Sequence, residues 1–355
     1  MNYIGLSKRS VPFVASVAAL LLLGLGLKLL GRSPWSVYSG LFAGSLGSRF
    51  AIAETLVATI PIIFCALATA VPRWAGLISV GAEGALYAGA VGATYAALQF
   101  SHWPSVALVP SMLLLAACAG AVWAAVPALL RVFLGINETI VTLLGNYVAV
   151  LLVEYLVHGV WQDPASYSWP QSAAFVASAE LPRWPGTRVH LGLAVAILAA
   201  LLLWVLRSRT VLGLRLEITG SNPTAANYAG YPVRKYQLLV MVVGGILAAM
   251  AGWGQVAAIE GRLRSALSPG YGYSGFLVAW MARHHPLGIL GFSLLLAAML
   301  TGSDNLQLRQ QLPAAMVNIF QGILLFCLLG AEYIADRQTT KMQVAHRGHE
   351  EEVPQ

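Results

Sequence analysis

The stretch "GLISVGAEGALYAGAVG", Gly76 to Gly92, is apolar enough to lie in a lipid bilayer, yet it carries one carboxylate, Glu83, between Gly81 and Gly84. A charge facing hydrocarbon costs at least ~2.5 kcal/mol even on insertion scales, so Glu83 has to face protein, water or a ligand. Glycines on either side permit irregular backbone, as where a membrane helix breaks to line a cavity. Two readings of Glu83 follow. It bonds backbone N–H groups freed by a break, or it meets a solute on its way through. Both require further helices around it.

The rest of the chain supplies them. Of 355 residues, 58% are hydrophobic and only 10% charged, and the mean hydropathy of +0.72 lies outside the soluble range. This is the composition of an integral membrane protein. The net charge of +7 comes from 21 Lys and Arg scattered along short loops, not gathered in a stripe, which argues against nucleic acid as a partner. Cys65, Cys118 and Cys327 fall in apolar runs at no metal-ligand spacing and read as small core residues, so no metal site is expected.

Apolar windows long enough to cross a bilayer, broken at charges, Pro and Gly, predict an all-α polytopic bundle of about ten membrane segments within residues 1–335. They run from Val11 to Leu30, Ala53 to Ala70, Gly76 to Gln99, Ser105 to Leu130, Thr139 to Val157, Leu191 to Leu206, Leu238 to Ala258, Gly272 to Met281, Leu287 to Leu300 and Ala314 to Leu329. The eighth and ninth are short, and "ARHHP" (282–286) between them suggests broken helices meeting near one face. The first window is too long for a signal-peptide core and "GRSPWS" follows it without a small-residue cleavage site, so it reads as an uncleaved span. With alternating spans and both termini cytoplasmic, 13 of the 21 Lys and Arg fall on the inner side, as the positive-inside rule asks. The segment 159–190, rich in Trp and Pro, is then the longest external loop, either an amphipathic cover or a landing surface for an outer partner. The end, 336–355, has no apolar periodicity and reads as a solvated cytoplasmic tail.

The cytoplasmic loop 207–237 contains "SNPTAANYAG" (221–230), a compact helix signature. Asn222 suits the N-cap, Pro223 the first helical position, and Gly230 the left-handed residue past the end. The enclosed helix, Pro223, Thr224, Ala225, Ala226, Asn227, Tyr228 and Ala229, is far too short to cross a membrane. It is a connector capped for its own stability, or an insert for a groove on another protein.

Four stretches in order, "IAETLVATIPIIFCALATAVPRWAGLISVGAEG" (52–84), "GINETIVTLLGNYVA" (135–149), "GLRLEITGSNPTAANYAG" (213–230) and "GYGYSGFLVAWMARHHPLG" (270–288), resemble the permease subunits of ATP-binding-cassette importers. The likeness is to the branch handling branched-chain amino acids, simple sugars and nucleosides, nearest the nucleoside group. The resemblance implies a pair of permeases, the same or sister chains, forming one pathway in a prokaryotic inner membrane. It also implies two cytoplasmic ATPase subunits and an external solute-binding protein. Residues 222–230 then correspond to the coupling helix that docks on the ATPase. None of the four lysines, Lys8, Lys28, Lys235 and Lys341, ends a Gly-rich phosphate loop, so ATP is expected to act on partner subunits, with no cofactor in this chain.

Besides Glu83, two polar sets interrupt the spans and are candidates for the substrate pathway. Asn137 and Glu138 stand where the fifth span begins and suit an N-cap and its first turn, while Asn146 lies two turns deeper and needs a partner, be it a neighbouring helix or a solute hydroxyl. Trp253, Gln255 and Trp280 form an aromatic and amide set able to stack on a base or to pack at the membrane interface. No catalytic constellation is present. The competing function is an ion-coupled secondary transporter with a proton on Glu83 or Glu138; the capped cytoplasmic helix favours the ATP-driven importer.

Overall fold

The computed structural model describes residues 11–29, 31, 33–166, 169–310, and positions 319, 322–323, 326–327 and 330–331. Most of the tenth expected span, and the whole of the tail 336–355, lie outside these. The chain divides into two compact units, 1–44 with 302–355, and 45–301. In the first, helix α1 (Val11–Leu29) is followed by α2 (Pro34–Leu46), a helix that the sequence reading did not include. Leu27 packs on Val37, and the Tyr38 hydroxyl donates to the Leu20 carbonyl at 2.5 Å.

The second unit carries α3 (Arg49–Trp74), α4 (Ala82–Gln99), α5 (Ser105–Leu134), α6 (Glu138–His158) and α7 (Gly192–Arg209). Two short helices follow, α8 (Val211–Ser221) and α9 (Pro223–Tyr228). Then come α10 (Val233–Gly254), which continues as a π-helical turn Gln255–Glu260, α11 (Tyr271–Met281) and α12 (Pro286–Gln310), whose residues from Gly302 onward count with the first unit. No strand forms among the described residues, only isolated bridges such as Arg183 with His190. Six of these elements are long and apolar enough to cross a membrane: α3, α5, α6, α7, α10 with its π turn, and α12 through Ser303.

Burial divides the helices by role. Over their most apolar windows, α3 and α10 are 72% buried, against 22% for α5, 28% for α6 and 17% for α7. A helix apolar all round and still exposed is one that faces acyl chains, so α5, α6 and α7 form lipid-facing walls around α3, α4 and α10. Without a hydrophobic drive between helices in lipid, close packing has to come from small residues. Along α10 these are Gly245, Ala249 and Gly252. Gly245 and Ala249 press on Gly120 of α5, and Gly252 on the Leu86 backbone of α4, with no room for an added Cβ.

The two ends of this unit differ. At one, residues 169–190 fold back onto the bundle: Phe175 and Leu181 N–H donate to the carbonyls of Gly261 and Ala257 at 2.8 and 3.0 Å, and the Arg188 guanidinium pairs with Glu54 of α3 at 3.1 Å. At the other, α3 ends at Trp74 beside α8 and α9, with Gly220 of α8 seated on the Trp74 carbonyl and on Gly76.

Candidate functional site

The third expected span does not begin at Gly76. Gly76 takes φ +80°, Leu77 to Val80 run without helix, and α4 starts only at Ala82. Each non-helical residue leaves a backbone donor and acceptor that hydrocarbon cannot satisfy. One face of α6 satisfies those of Ile78 and Val80. Glu138 Oε1 accepts the Ile78 N–H at 3.1 Å, and the Thr139 hydroxyl donates to the Ile78 carbonyl at 3.0 Å. Thr142 Oγ1 accepts the Val80 N–H at 3.2 Å. Asn146 then bonds twice, Nδ2 donating to the Val80 carbonyl at 2.9 Å and Oδ1 accepting the Gly84 N–H at 2.8 Å. Glu138 also receives the Arg131 guanidinium at 3.2 Å. The i, i+4, i+8 spacing of Glu138, Thr142 and Asn146 is the signal for this polar stripe, and the sequence reading used only its two ends.

Glu83 stands just beyond the break, in the first turn of α4, with only 4% of its surface exposed. Its Oε2 accepts the Gly272 N–H at 2.5 Å, in the first turn of α11. The carboxylate therefore lies at the N-terminal ends of two helices at once, where both sets of unpaired N–H groups favour negative charge. Gly272 allows the approach, because a Cβ there would overlap the Glu83 backbone. Helix α11 has 11 residues, about 16 Å at 1.5 Å per residue, roughly half of a ~30 Å hydrocarbon core, so it is too short to cross the membrane by itself. Tyr273, next along α11, reaches Asn146 Nδ2 at 3.5 Å and ties the two halves of the site.

Of the residues singled out from sequence, Glu83 and Asn146 converge here through Gly84, Gly272 and Tyr273. Asn137 and Glu138 occupy the start of α6, where Asn137 Oδ1 accepts the Thr139 N–H at 2.9 Å as the cap. Trp253 and Gln255 are buried at the passage from α10 into its π turn, and Trp280 packs against Phe276 and His284 near the end of α11. The indole N–H groups of both tryptophans have no hydrogen-bond partner among the described residues. A cavity of about 350 Å³ opens between α4, α5, α6 and α10, bounded by Trp123, Gly145, Met241, Gly245, Ser79 and Thr142. Its lining is chiefly apolar, and the Thr142 hydroxyl is already engaged with backbone.

The second candidate is α9. Asn222 Oδ1 accepts the Ala225 N–H at 3.0 Å, Pro223 takes the first helical position, and Gly230 beyond the end has φ +77°. The helix ends at Tyr228, one residue earlier than expected from sequence. Helix α8 leads into it without a linker, and Arg215 of α8 stacks over the Tyr231 ring at 5.5 Å, bracing both sides of the turn. Within α9, Ala226 is fully buried, whereas Tyr228 projects with 90% of its surface exposed. A large aromatic held clear of its own protein on a rigid, capped turn has the form of an anchor for a partner's pocket.

Residues 51–329 match the family described as the permease component of branched-chain amino acid transport systems. A glucose ABC transporter permease protein, TsgB13 of Haloferax volcanii, is 36% identical over 91% of this chain and 87% of its own. A guanosine ABC transporter permease protein, NupP of Bacillus subtilis, is 30% identical over 90% of this chain and 92% of its own. A nucleoside ABC transporter permease protein, NupB of Lactococcus lactis, is 29% identical over 89% of each.

Proposed function

This chain belongs to the permease-component family of branched-chain amino acid transport systems, and from that premise we propose how it serves an ATP-binding-cassette importer. Its cargo is a small hydroxyl-rich solute, a nucleoside first and a simple sugar second. These are the cargoes that the names of its similar relatives carry. It performs no covalent chemistry and holds no cofactor; ATP is bound and hydrolysed by separate cytoplasmic subunits. The setting is the inner membrane of a prokaryote, crossed about ten times with both termini inside.

One observation carries the coupling role: Tyr228, almost wholly exposed on a helix whose every other device serves rigidity. In this reading α9 seats in a cleft of the ATPase, and closure of the ATPases around ATP moves α8 and α9 as one piece. The placement of charge supports a cytoplasmic position for that end. Between residues 45 and 301, Arg73, Arg131, Arg207, Arg209, Arg215, Arg234, Lys235 and Arg283 lie toward it, against five Lys and Arg toward the other. The opposite face, built by residues 159–190 with Trp169 and Trp184 exposed, receives a solute-binding protein. The apolar lining of the intrachain cavity matches a polar solute poorly, which supports a pathway shared with a second permease.

Reconstitution in vesicles tests this reading. The chain with a partner permease, ATPase and loaded binding protein should take up radiolabelled nucleoside or glucose only with ATP present. Uptake that needs an ion gradient and ignores ATP would overturn it.

A further inference from the structure

Helix α11 is held at both ends by polar contacts to other elements. Its first turn gives the Gly272 N–H to Glu83 of α4. Beyond its last turn, the His284 carbonyl accepts Arg207 Nη1 at 2.7 Å and the Trp74 indole N–H at 3.2 Å. Arg207 stands in the last turn of α7, Trp74 ends α3, and the guanidinium stacks over the Trp74 ring at 5.4 Å. Two donors from two helices thus converge on one carbonyl and brace each other. Between the two holds, α11 lies on α3 across small residues, with Gly275 seated on Cys65 and Ala66.

The corner that presents this carbonyl is strained. Arg283 and His284 are the non-glycine residues described with positive φ, at 51° and 57°, a region that a Cβ makes costly. Such a conformation persists only where its surroundings over-determine it. The two donors do so here, together with the His284 ring set edge-on to Trp280 at 5.1 Å. Trp74 also supports the α9 end. Gly220 of α8 sits on Gly76 and on the Trp74 carbonyl, which an added Cβ would overlap. One residue therefore meets the base of α8 with its backbone and the end of α11 with its ring.

From these contacts we infer that Arg207 and Trp74 are positioning residues for coupling: they clamp the His284 end of α11, which carries displacement of α8 and α9 to the Glu83 junction about 16 Å away. The inference rests on the reading of α9 as the ATPase contact. The strained corner is the element with two arrangements, clamped and released. Released, it absorbs a movement of α8 within its own backbone. Clamped, it passes that movement along α11 to Gly272, where it alters the approach of α11 to α4. Neither side chain needs to touch solute or ATPase to act in this way.

The test has two arms, both with the full chain. In nanodiscs, hydrogen exchange is followed by mass spectrometry over α11 and over the corner 282–286. Arg207→Met removes the donor and keeps the side-chain length. It should speed exchange several-fold at the corner and also in the first turn of α11, and Arg207→Lys should restore much of the protection. Faster exchange confined to the corner overturns the transmission. In vesicles with a partner permease, ATPase and loaded binding protein, the solute taken up per ATP hydrolysed should fall about fivefold in Arg207→Met while hydrolysis persists, and should recover in Arg207→Lys. Trp74→Phe keeps a ring and loses the N–H, so a smaller fall in the same ratio is expected; this variant decides the matter where Arg207→Met fails to fold. An unchanged ratio in the variants, beside ATP-driven uptake by the parent, overturns the coupling role alone. Uptake by the parent that ignores ATP overturns the reading of α9 as well.

Discussion

The Glu83 carboxylate accepts the Gly272 N–H, joining the first turns of α4 and α11 across 189 positions of sequence. One buried side chain of the first turn of α4 thereby satisfies a backbone donor at the N-terminus of α11.

Removing that acceptor leaves a buried donor unpaired. Glu83→Ala should lower unfolding stability in detergent by about 1–3 kcal/mol, the range for an orphaned buried polar group. Glu83→Gln keeps an oxygen of the same reach and should assemble normally, so uptake measured on that variant isolates what the charge itself does. Intact assembly with lost uptake would place Glu83 on the solute's path; intact assembly with normal uptake would leave it a structural acceptor.

Asn146 and Thr142 offer a graded comparison on one helix face. Asn146→Leu strands both the Gly84 N–H and the Val80 carbonyl, whereas Thr142→Val strands one N–H. The first should therefore cost more, about 2–4 kcal/mol against about 1–2 kcal/mol. Thermal unfolding of the two variants side by side checks the order, and equal losses would contradict the ladder.

Gly272→Ala should act through space alone. The added methyl has to displace the Glu83 backbone, which predicts a loss of about 1–3 kcal/mol typical of overpacking. Hydrogen exchange should show the damage at α11 and the start of α4 before it reaches α7.

At α9 stability and coupling should separate. Tyr228→Asp changes an exposed side chain, so the midpoint of unfolding should move by no more than about 0.5 kcal/mol in equivalent free energy while ATP-driven uptake falls at least about tenfold. Ala226→Asp puts a carboxylate in a fully buried position and should prevent the turn from forming at all. Unchanged uptake in Tyr228→Asp would remove the docking role.

Two histidines predict the response to acid. Burial lowers His190 to a pKa of about 4, with Arg183 adding to the effect, and lowers His284 to about 4 as well. Between the ordinary 6.5 and about 4, the unfolded chain binds protons that the folded chain does not. Stability from these groups is thus complete above pH 6.5 and lost as pH falls toward 4, by up to about 3 kcal/mol for each. His190 has a visible reason: its Nδ1 accepts the Gly192 N–H at 3.2 Å, a bond that the protonated ring cannot make. Unfolding midpoints measured from pH 7.5 to pH 4.5 should fall steadily in the parent protein and less steeply in His284→Gln.

Sequence by itself determined what the long apolar segments and the capped turn at 222–230 had to be. The long apolar runs could only be helices, since a helix satisfies its own backbone in lipid, and α3, α5, α6, α7 and α10 lie where hydropathy put them. Asn222, Pro223 and Gly230 bounded α9 to within one residue, because caps act between neighbours in the chain. Helix α2 escaped notice because at 13 residues it falls short of a membrane span, and α8 because polar residues on a short surface helix resemble loop. The glycines around Glu83 signalled irregular backbone, but not its length or its partners. Only the tertiary structure decided that Leu77 to Val80 leave the helix, that α6 supplies the missing hydrogen bonds, and that Glu83 closes on Gly272. Those bonds link residues some 60 to 190 positions apart, and their geometry exists only once packed helices bring the segments together.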